Sequence, residues 1–305
     1  MKNMNEKKSE IRQFWSDNPM TYGESHGMAT YTLDNGSIVQ VEVGSCDFFM
    51  YADKVFYNWN VPRHKGKDYF GKIFNYEKFK NGKVLEIGCG MGCMAMNWAQ
   101  HGANVTAIDL NPIAVEMTKK RFQVFGLEGK IQEADAESLP FDDNYFDYVY
   151  SWGVLHHSPG IEESISEIYR VLRPGGEIGI MLYHRNSILY RFIVEYIEGF
   201  LNMEKQFLNQ LELSSRYGDG AREEGNPHTW PMTRSEIRLL LNKFDEVTTQ
   251  VFGTDIKDIL NQWLPSFGNN LPEKMLNALA KRIGWSVWSE AKKTIVSSTD
   301  KFSVS

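Results

Sequence analysis

The stretch Val84-Leu85-Glu86-Ile87-Gly88-Cys89-Gly90-Met91-Gly92 ("VLEIGCGMG", 84–92) decides how the chain is read. A short apolar run ends in alternate glycines, and the residues from Cys93 to His101 fit a helix. Glycines at a strand-to-helix turn let the backbone bend sharply and come close to a ligand. Alone the turn is weak evidence, because NAD and FAD sites use similar loops. The spacing is G-x-G-x-G, not the dinucleotide G-x-G-x-x-G, and no Gly-Lys-Ser/Thr follows as a P-loop requires.

Outward from that turn the pattern alternates. Val105 to Ile108 is a second strand ending in Asp109, and Pro112 to Phe125 fits a helix with proline in its first turn. Lys130 to Glu133 reads as a short third strand, Tyr145 to Ser151 as a fourth, Ile161 to Leu172 as a helix and Glu177 to Tyr183 as a fifth strand. Strands alternating with helices predict right-handed crossovers and a parallel sheet covered on both faces. Ligands of such sheets bind outside the carboxyl ends of the strands. Asp109, at the end of strand two, is placed to accept both hydroxyls of a ribose; it could equally cap the helix after Asn111-Pro112. Asp135 follows strand three in "EADAESLPF". Its carboxylate and the Ala136 amide suit the edge of an adenine.

Around this core the chain divides into four parts. Residues 1–80 are aromatic-rich, with helices expected at Glu6–Trp15 and Cys46–Asn60; 81–184 form the α/β core. Residues 185–232 insert a long amphipathic helix and the polar loop "YGDGAREEGNPHTW". The stretch 233–305 completes the core, with a capping box at Thr233–Glu236, a sixth strand at Val247–Phe252, a helical insertion at 254–282 and a last strand at Trp285–Ala291.

Composition narrows the function. The chain has 305 residues, 42% of them hydrophobic, and a net charge of −6. That charge disfavours nucleic acid, whose backbone needs clustered Lys and Arg; the one basic cluster, Arg63-His64-Lys65-Gly66-Lys67, reads as a solvated loop. Three cysteines (Cys46, Cys89, Cys93) without framework spacing suit reduced thiols in a cytoplasmic protein, and no Cys/His pair has the spacing of a zinc site. The N-terminus shows no apolar signal region. The run Ile188–Leu201 is broken by Arg191, Glu195 and Glu198, so no integral membrane segment is expected.

Together, "VLEIGCGMG", "VTAIDLNPIAVEMTKKRF", "ADAESLPFDDNYFDYVYSWGVLHH" and "EIYRVLRPGGEIGIMLYH" resemble the class I S-adenosylmethionine-dependent methyltransferases, in their UbiE-like small-molecule branch. The resemblance is strong over residues 80–184 and loose elsewhere. It implies a Rossmann-like, seven-stranded, mostly parallel sheet with helices on both faces and helical lid insertions. By position, Gly88, Cys89, Gly90 and Gly92 would line the methionyl and ribose part of S-adenosylmethionine, with Glu86 supporting the loop. Asp109 would bind the ribose, Leu110 would lie against the adenine, Asp135 and Ala136 would read it, and the Ser151 carbonyl would hold the methionyl ammonium. Ser151-Trp152-Gly153-Val154 stands where DNA amino-methylating relatives carry Asn/Asp-Pro-Pro-Tyr/Phe, and the tetrad of ribose-methylating relatives is missing. Both departures turn the expected acceptor from nucleic acid to a small molecule.

Methyl transfer from a sulfonium is an in-line displacement, helped mainly by alignment and water exclusion. A general base is needed only for a hydroxyl or a protonated amine. His156, after strand four, is the candidate on the acceptor side, and His157 is taken as scaffold. Arg185 could grip an acceptor carboxylate or cap a carbonyl. Tyr22, Glu24 and His26 could fold over the donor, and Phe48, Phe49 and Tyr57 could belong to the same cover or to the core. The alternatives are a lipid or quinone acceptor at a membrane surface, suggested by "LPEKMLNALAKRIGWSVW", and a non-catalytic S-adenosylmethionine-binding module. A homodimer stays open, as does the methylated element, O, N, S or C.

Overall fold

The computed structural model describes residues 4–18, 27–33, 35–218, 225–253, 256–264 and 266–295. In chain order these hold α1 (Met4–Asp17), β1 (Met28–Thr32), β2 (Ile38–Glu42), α2 (Cys46–Asn58), β3 (Lys83–Ile87), α3 (Cys93–Gln100), β4 (Asn104–Asp109), α4 (Pro112–Val124), β5 (Lys130–Glu133) and β6 (Phe146–Trp152). Then follow α5 (Ile161–Val171), β7 (Leu172–Tyr183), a π-helix (Leu189–Leu201), α6 (Gln210–Tyr217), α7 (Arg234–Leu240), β8 (Phe244–Phe252), α8 (Ile256–Trp263), α9 (Phe267–Asn270), α10 (Glu273–Ile283) and β9 (Ser286–Lys293).

Seven strands form one sheet in the order β5-β4-β3-β6-β7-β9-β8. β3 to β7 run parallel, and β9 runs antiparallel to both β7 and β8. The order reverses between β3 and β6, so a crevice opens beside the end of β3, where the glycines begin.

The two sheet faces differ in chemistry. One is aliphatic: Leu85, Ile87, Val149, Ile165, Ile168, Ile178, Ile180 and Leu182 pack together. The other is aromatic: Phe56, Phe70, Phe74, Tyr76, Trp98, Tyr148, Tyr150 and Trp288 share one cluster. Val84, Leu85 and Ile87 are almost fully buried, as a central parallel strand covered on both faces requires.

The N-terminal part is fastened to this core. The hairpin β1–β2, which the sequence reading lacks, joins α2 in a cluster with Met91 of the glycine loop and Met117 of α4. Phe48 and Phe49 are fully buried in that cluster, and Tyr57 lies in the aromatic core, where its hydroxyl donates to the Cys93 carbonyl (3.0 Å). The inserted helices leave the sheet from one end. Tyr183 of β7 and Phe252 of β8 both pair with Ser286, so 185–232 and 254–284 depart beside each other. No described helix is long and apolar enough to cross a membrane.

Candidate active site

A cavity of about 440 Å³ opens at the carboxyl ends of the parallel strands, within the range of small-molecule sites. Its floor is the glycine loop. Gly88 has φ +78°, and a Cβ there would lie 2.2 Å from the Val154 side chain, so only glycine fits. Gly90 (φ +53°) has nothing within 4 Å of its missing Cβ; it leaves the floor open where a ligand would come closest. α4 grips the loop from behind. The Thr118 hydroxyl donates to the Gly90 carbonyl (2.8 Å), and Arg121 Nε donates to the Met91 carbonyl (2.6 Å). In a trans peptide the N–H points opposite the carbonyl, so the clamp on Gly90 turns the Met91 N–H away from α4. Arg121 is fully buried, and its guanidinium is balanced by Asp53 of α2 (2.7 and 2.8 Å).

Asp109 sits at the tip of β4. Its two carboxylate oxygens accept from the Gly90 and Asn111 amides, each at 2.9 Å. Burial pushes its carboxyl up, and the amides pull it back. Each oxygen keeps acceptor capacity for a donor in the cavity. Glu86 lies under the loop at 3% exposure, and its Oε2 has no hydrogen-bond partner among the described residues. Burial pushes its carboxyl up to about 8. An orphaned buried oxygen on a cavity wall is a place for a ligand donor.

Helix α1 covers the third acid. Lys8 Nζ lies 2.7 Å from Asp135 and 2.5 Å from Glu137, and Arg12 lies 2.6 Å from Glu133. The Trp15 carbonyl accepts from Asn111 Nδ2 (2.7 Å), and the Trp15 ring meets His157 edge-on at 5.2 Å. Lys8, Ile11, Arg12 and Trp15 all line the cavity. The sequence places a helix here and counts Trp15, in "FWSDNPMTYGESHG", among residues that could fold over the donor, but gives Lys8, Ile11 and Arg12 no role.

The far wall is aromatic. Phe56, Trp59, Trp152, Tyr183, Phe252 and Trp285 line it with Met181. Trp152 and Phe252 stack at 5.8 Å and 15°, and the Arg63 guanidinium sits 3.7 Å from the centre of the Phe252 ring. The basic cluster is therefore not all solvated loop: Lys65 and Lys67 are exposed, but Arg63 is 8% exposed in the cavity wall. Its long apolar stem and planar head suit stacking on an aromatic ring.

The expected residues are distributed unevenly. Glu86, Gly88, Cys89, Gly90, Asp109, Leu110, Asp135 and Ala136 line the cavity together. Gly92 does not; its φ of +73° turns the chain into α3 against Thr118. Ser151 also lies off the lining, buried, with its hydroxyl on the Ile87 carbonyl (3.0 Å). Tyr22, Glu24 and His26 fall outside the described residues.

The histidine pair comes out in the opposite sense to the sequence reading. The tight turn Leu155–His157 puts His157 on the cavity and His156 behind it. His156 is 1% exposed, 3.8 Å ring to ring from Tyr183, with neither ring nitrogen hydrogen-bonded among the described residues. Burial, then the neighbouring His157 and His228, holds it well below the ordinary imidazole range, so it stays neutral and away from the acceptor side. His157 Nδ1 lies 2.8 Å from the His228 carbonyl, which can only accept, so Nδ1 carries the proton of the neutral ring. Arg185 is a second correction. It is absent from the cavity lining, holds Glu236 at 2.7 Å and the Pro231 carbonyl at 2.8 Å, and stacks over Trp230. It fixes α7 to the end of β7.

Residues 85–180 match the family model described as a methyltransferase domain. The chain carries a class I S-adenosylmethionine-dependent methyltransferase domain, α/β and Rossmann-like, in that segment. A phthiotriol/phenolphthiotriol dimycocerosates methyltransferase of Mycobacterium leprae is 35% identical over 135 residues, covering 44% of this chain and 48% of that protein. A sterol 24-C-methyltransferase of Yarrowia lipolytica is 34% identical over 140 residues, covering 41% and 37%. The chain thus spans half or less of the length of these relatives. Among solved structures, the [4+2]-cyclase SpnF shares the fold (TM-score 0.54, 15% identity, 94% of this chain and 96% of that one).

Proposed function

We propose that this chain transfers the methyl group of S-adenosylmethionine to a small apolar or amphipathic molecule. The supporting observation is one continuous cavity with a glycine-and-carboxylate floor and an aromatic far wall. The residues suit the cofactor: Gly90 leaves room over the loop, Asp109 offers both oxygens to a ribose diol, and Leu110, Asp135 and Ala136 frame the adenine place. Glu86, whose buried Oε2 has no partner among the described residues, is suited to the methionyl ammonium. When bound, S-adenosylmethionine supplies a methyl group already activated on a sulfonium.

The chain's residues then act by placement. The loop clamps Thr118 and Arg121 hold the floor rigid. Trp15, Trp152, Phe252 and Trp285 exclude water and offer flat apolar surface to an acceptor. His157 lines the cavity beside Trp15, its Nδ1 held by the His228 carbonyl, and so faces the place an acceptor would occupy. One matched relative is named as a sterol 24-C-methyltransferase and another as a phthiotriol/phenolphthiotriol dimycocerosates methyltransferase; the sterol acceptor, with the aromatic wall, favours a lipid-like acceptor over a polar metabolite. Incubating the protein and S-adenosylmethionine with separate lipid and polar extracts, and measuring S-adenosylhomocysteine release, tests this. Release driven by the lipid fraction is expected; release with polar metabolites alone, or with neither, contradicts it.

A further inference from the structure

The glycine loop that floors the cavity cannot hold its own shape. Gly88, Gly90 and Gly92 all take positive φ (+78°, +53° and +73°), and glycine has the most backbone freedom to lose on ordering. A ligand that binds such a loop must also order it, unless something else already has. Thr118 of α4 holds Gly90. Met91, between the second and third glycines, is held from the N-terminal part, which lies outside the matched segment 85–180.

That hold has two components. The Met91 side chain, 6% exposed, shares one apolar cluster with Val43, Phe48, Phe49 and Ala52. The Met91 carbonyl accepts from Arg121 Nε (2.6 Å), and Arg121 is aimed by Asp53 of α2, whose two carboxylate oxygens both accept from Nη1 (2.8 and 2.7 Å). The guanidinium also lies 4.4 Å from the centre of the Phe49 ring, on the same helix as Asp53. Neither Asp53 nor Arg121 lines the cavity.

Stability alone does not account for this pair. The Arg121 side chain is 0% exposed and that of Asp53 14%, and Arg121 Nη2 has no hydrogen-bond partner among the described residues. The cost of burying two charges largely offsets their attraction, and well-packed apolar side chains of similar volume often hold a fold as well. An apolar pair could not give the Met91 carbonyl a donor. A guanidinium can, because its planar fork fixes the direction of Nε once Nη1 is held.

We propose that Asp53 is a positioning residue for cofactor binding: through Arg121 it sets the Met91 peptide and orders the glycine loop before the ligand arrives. The floor is thus completed by a helix that the matched methyltransferase segment does not contain. The role rests on the proposed binding of S-adenosylmethionine.

Calorimetry with S-adenosylhomocysteine, run well below the melting temperature, and Tm of the same full-chain proteins test it. Asp53→Asn leaves a buried guanidinium without its counter-charge. Its Tm is expected to fall by roughly 5 °C or more and its affinity by about tenfold. The double variant Asp53→Leu, Arg121→Met replaces the pair with apolar side chains. Its Tm is expected to return to within about 3 °C of wild type. Its affinity is expected to stay about tenfold low, because the Met91 carbonyl has lost its donor. Should Asp53→Asn fold poorly, the double variant carries the test by itself. Wild-type affinity in either variant overturns the proposal. So does a double variant whose Tm and affinity both stay low, because the pair then serves folding alone. If wild type binds no S-adenosylhomocysteine, the proposed cofactor falls and this role with it; wild-type binding with unchanged variants removes the role alone.

Discussion

At the floor of the cavity, Glu86, Gly88, Gly90, Asp109 and Asp135 come from three consecutive strand ends within residues 84–136. At the far wall, Phe56, Trp152, Tyr183, Phe252 and Trp285 come from five separated segments. The floor works through backbone amides, carbonyls and short acids held in fixed geometry. The wall works through ring area. A backbone-built floor suits a constant ligand, and a side-chain wall can change with the acceptor while the sheet below it stays the same. The difference predicts that floor variants damage cofactor binding and that wall variants leave it intact.

The largest effect is expected at Asp109. Asp109→Ala removes two charge-assisted ribose bonds and leaves the Gly90 and Asn111 amides without their acceptor. S-adenosylhomocysteine affinity should fall about 100-fold or more in calorimetry; unchanged affinity removes the ribose assignment. Next is the loop clamp. Thr118→Val keeps the side-chain shape but strips the Gly90 carbonyl of its donor, so affinity should fall about tenfold. Thr118→Ser, which keeps the hydroxyl, should restore most of it. Loss in Thr118→Ser but not in Thr118→Val would mean that packing of the methyl against Gly92, not the hydrogen bond, is what matters.

Glu86 gives a pH signature. Its folded carboxyl lies near 8 against an ordinary value of 4.5, so between those values the folded chain holds a proton the unfolded chain has lost. Stability from this group therefore falls as pH rises through that window. Glu86→Gln should flatten the decline of Tm between roughly pH 5 and 8; an equally steep decline means that other groups carry it. The smallest effect belongs to the wall. Trp152→Ala with Phe252→Ala should change S-adenosylhomocysteine affinity by less than about threefold while abolishing extract-driven release. A large loss of affinity would merge the two halves of the cavity into one.

The same contrast explains what the sequence disclosed. The floor could be read because strand, glycine turn and acid recur at short intervals, and each has a local cause. Lys130–Glu133 was expected as a strand and is β5. The wall could not, since Trp152 or Phe252 has the same apolar signature in a core as in a cavity. Arg63 was hidden in a run of basic residues whose neighbours really are exposed. His156 and His157 were exchanged because a tight turn after β6 decides which side chain faces in, and no periodicity marks it. The hairpin β1–β2 had a usable signal: Asn35-Gly36 stands between the alternating runs "MATYT" and "IVQVE".

The most direct measurement is a crystal structure with S-adenosylhomocysteine bound. The account predicts the ribose hydroxyls on Asp109, the adenine between Leu110 and Ala136, and the sulfur facing Trp152 and Trp285, where the two halves meet. A ligand bound elsewhere, or bound here with Asp109 untouched, would contradict it.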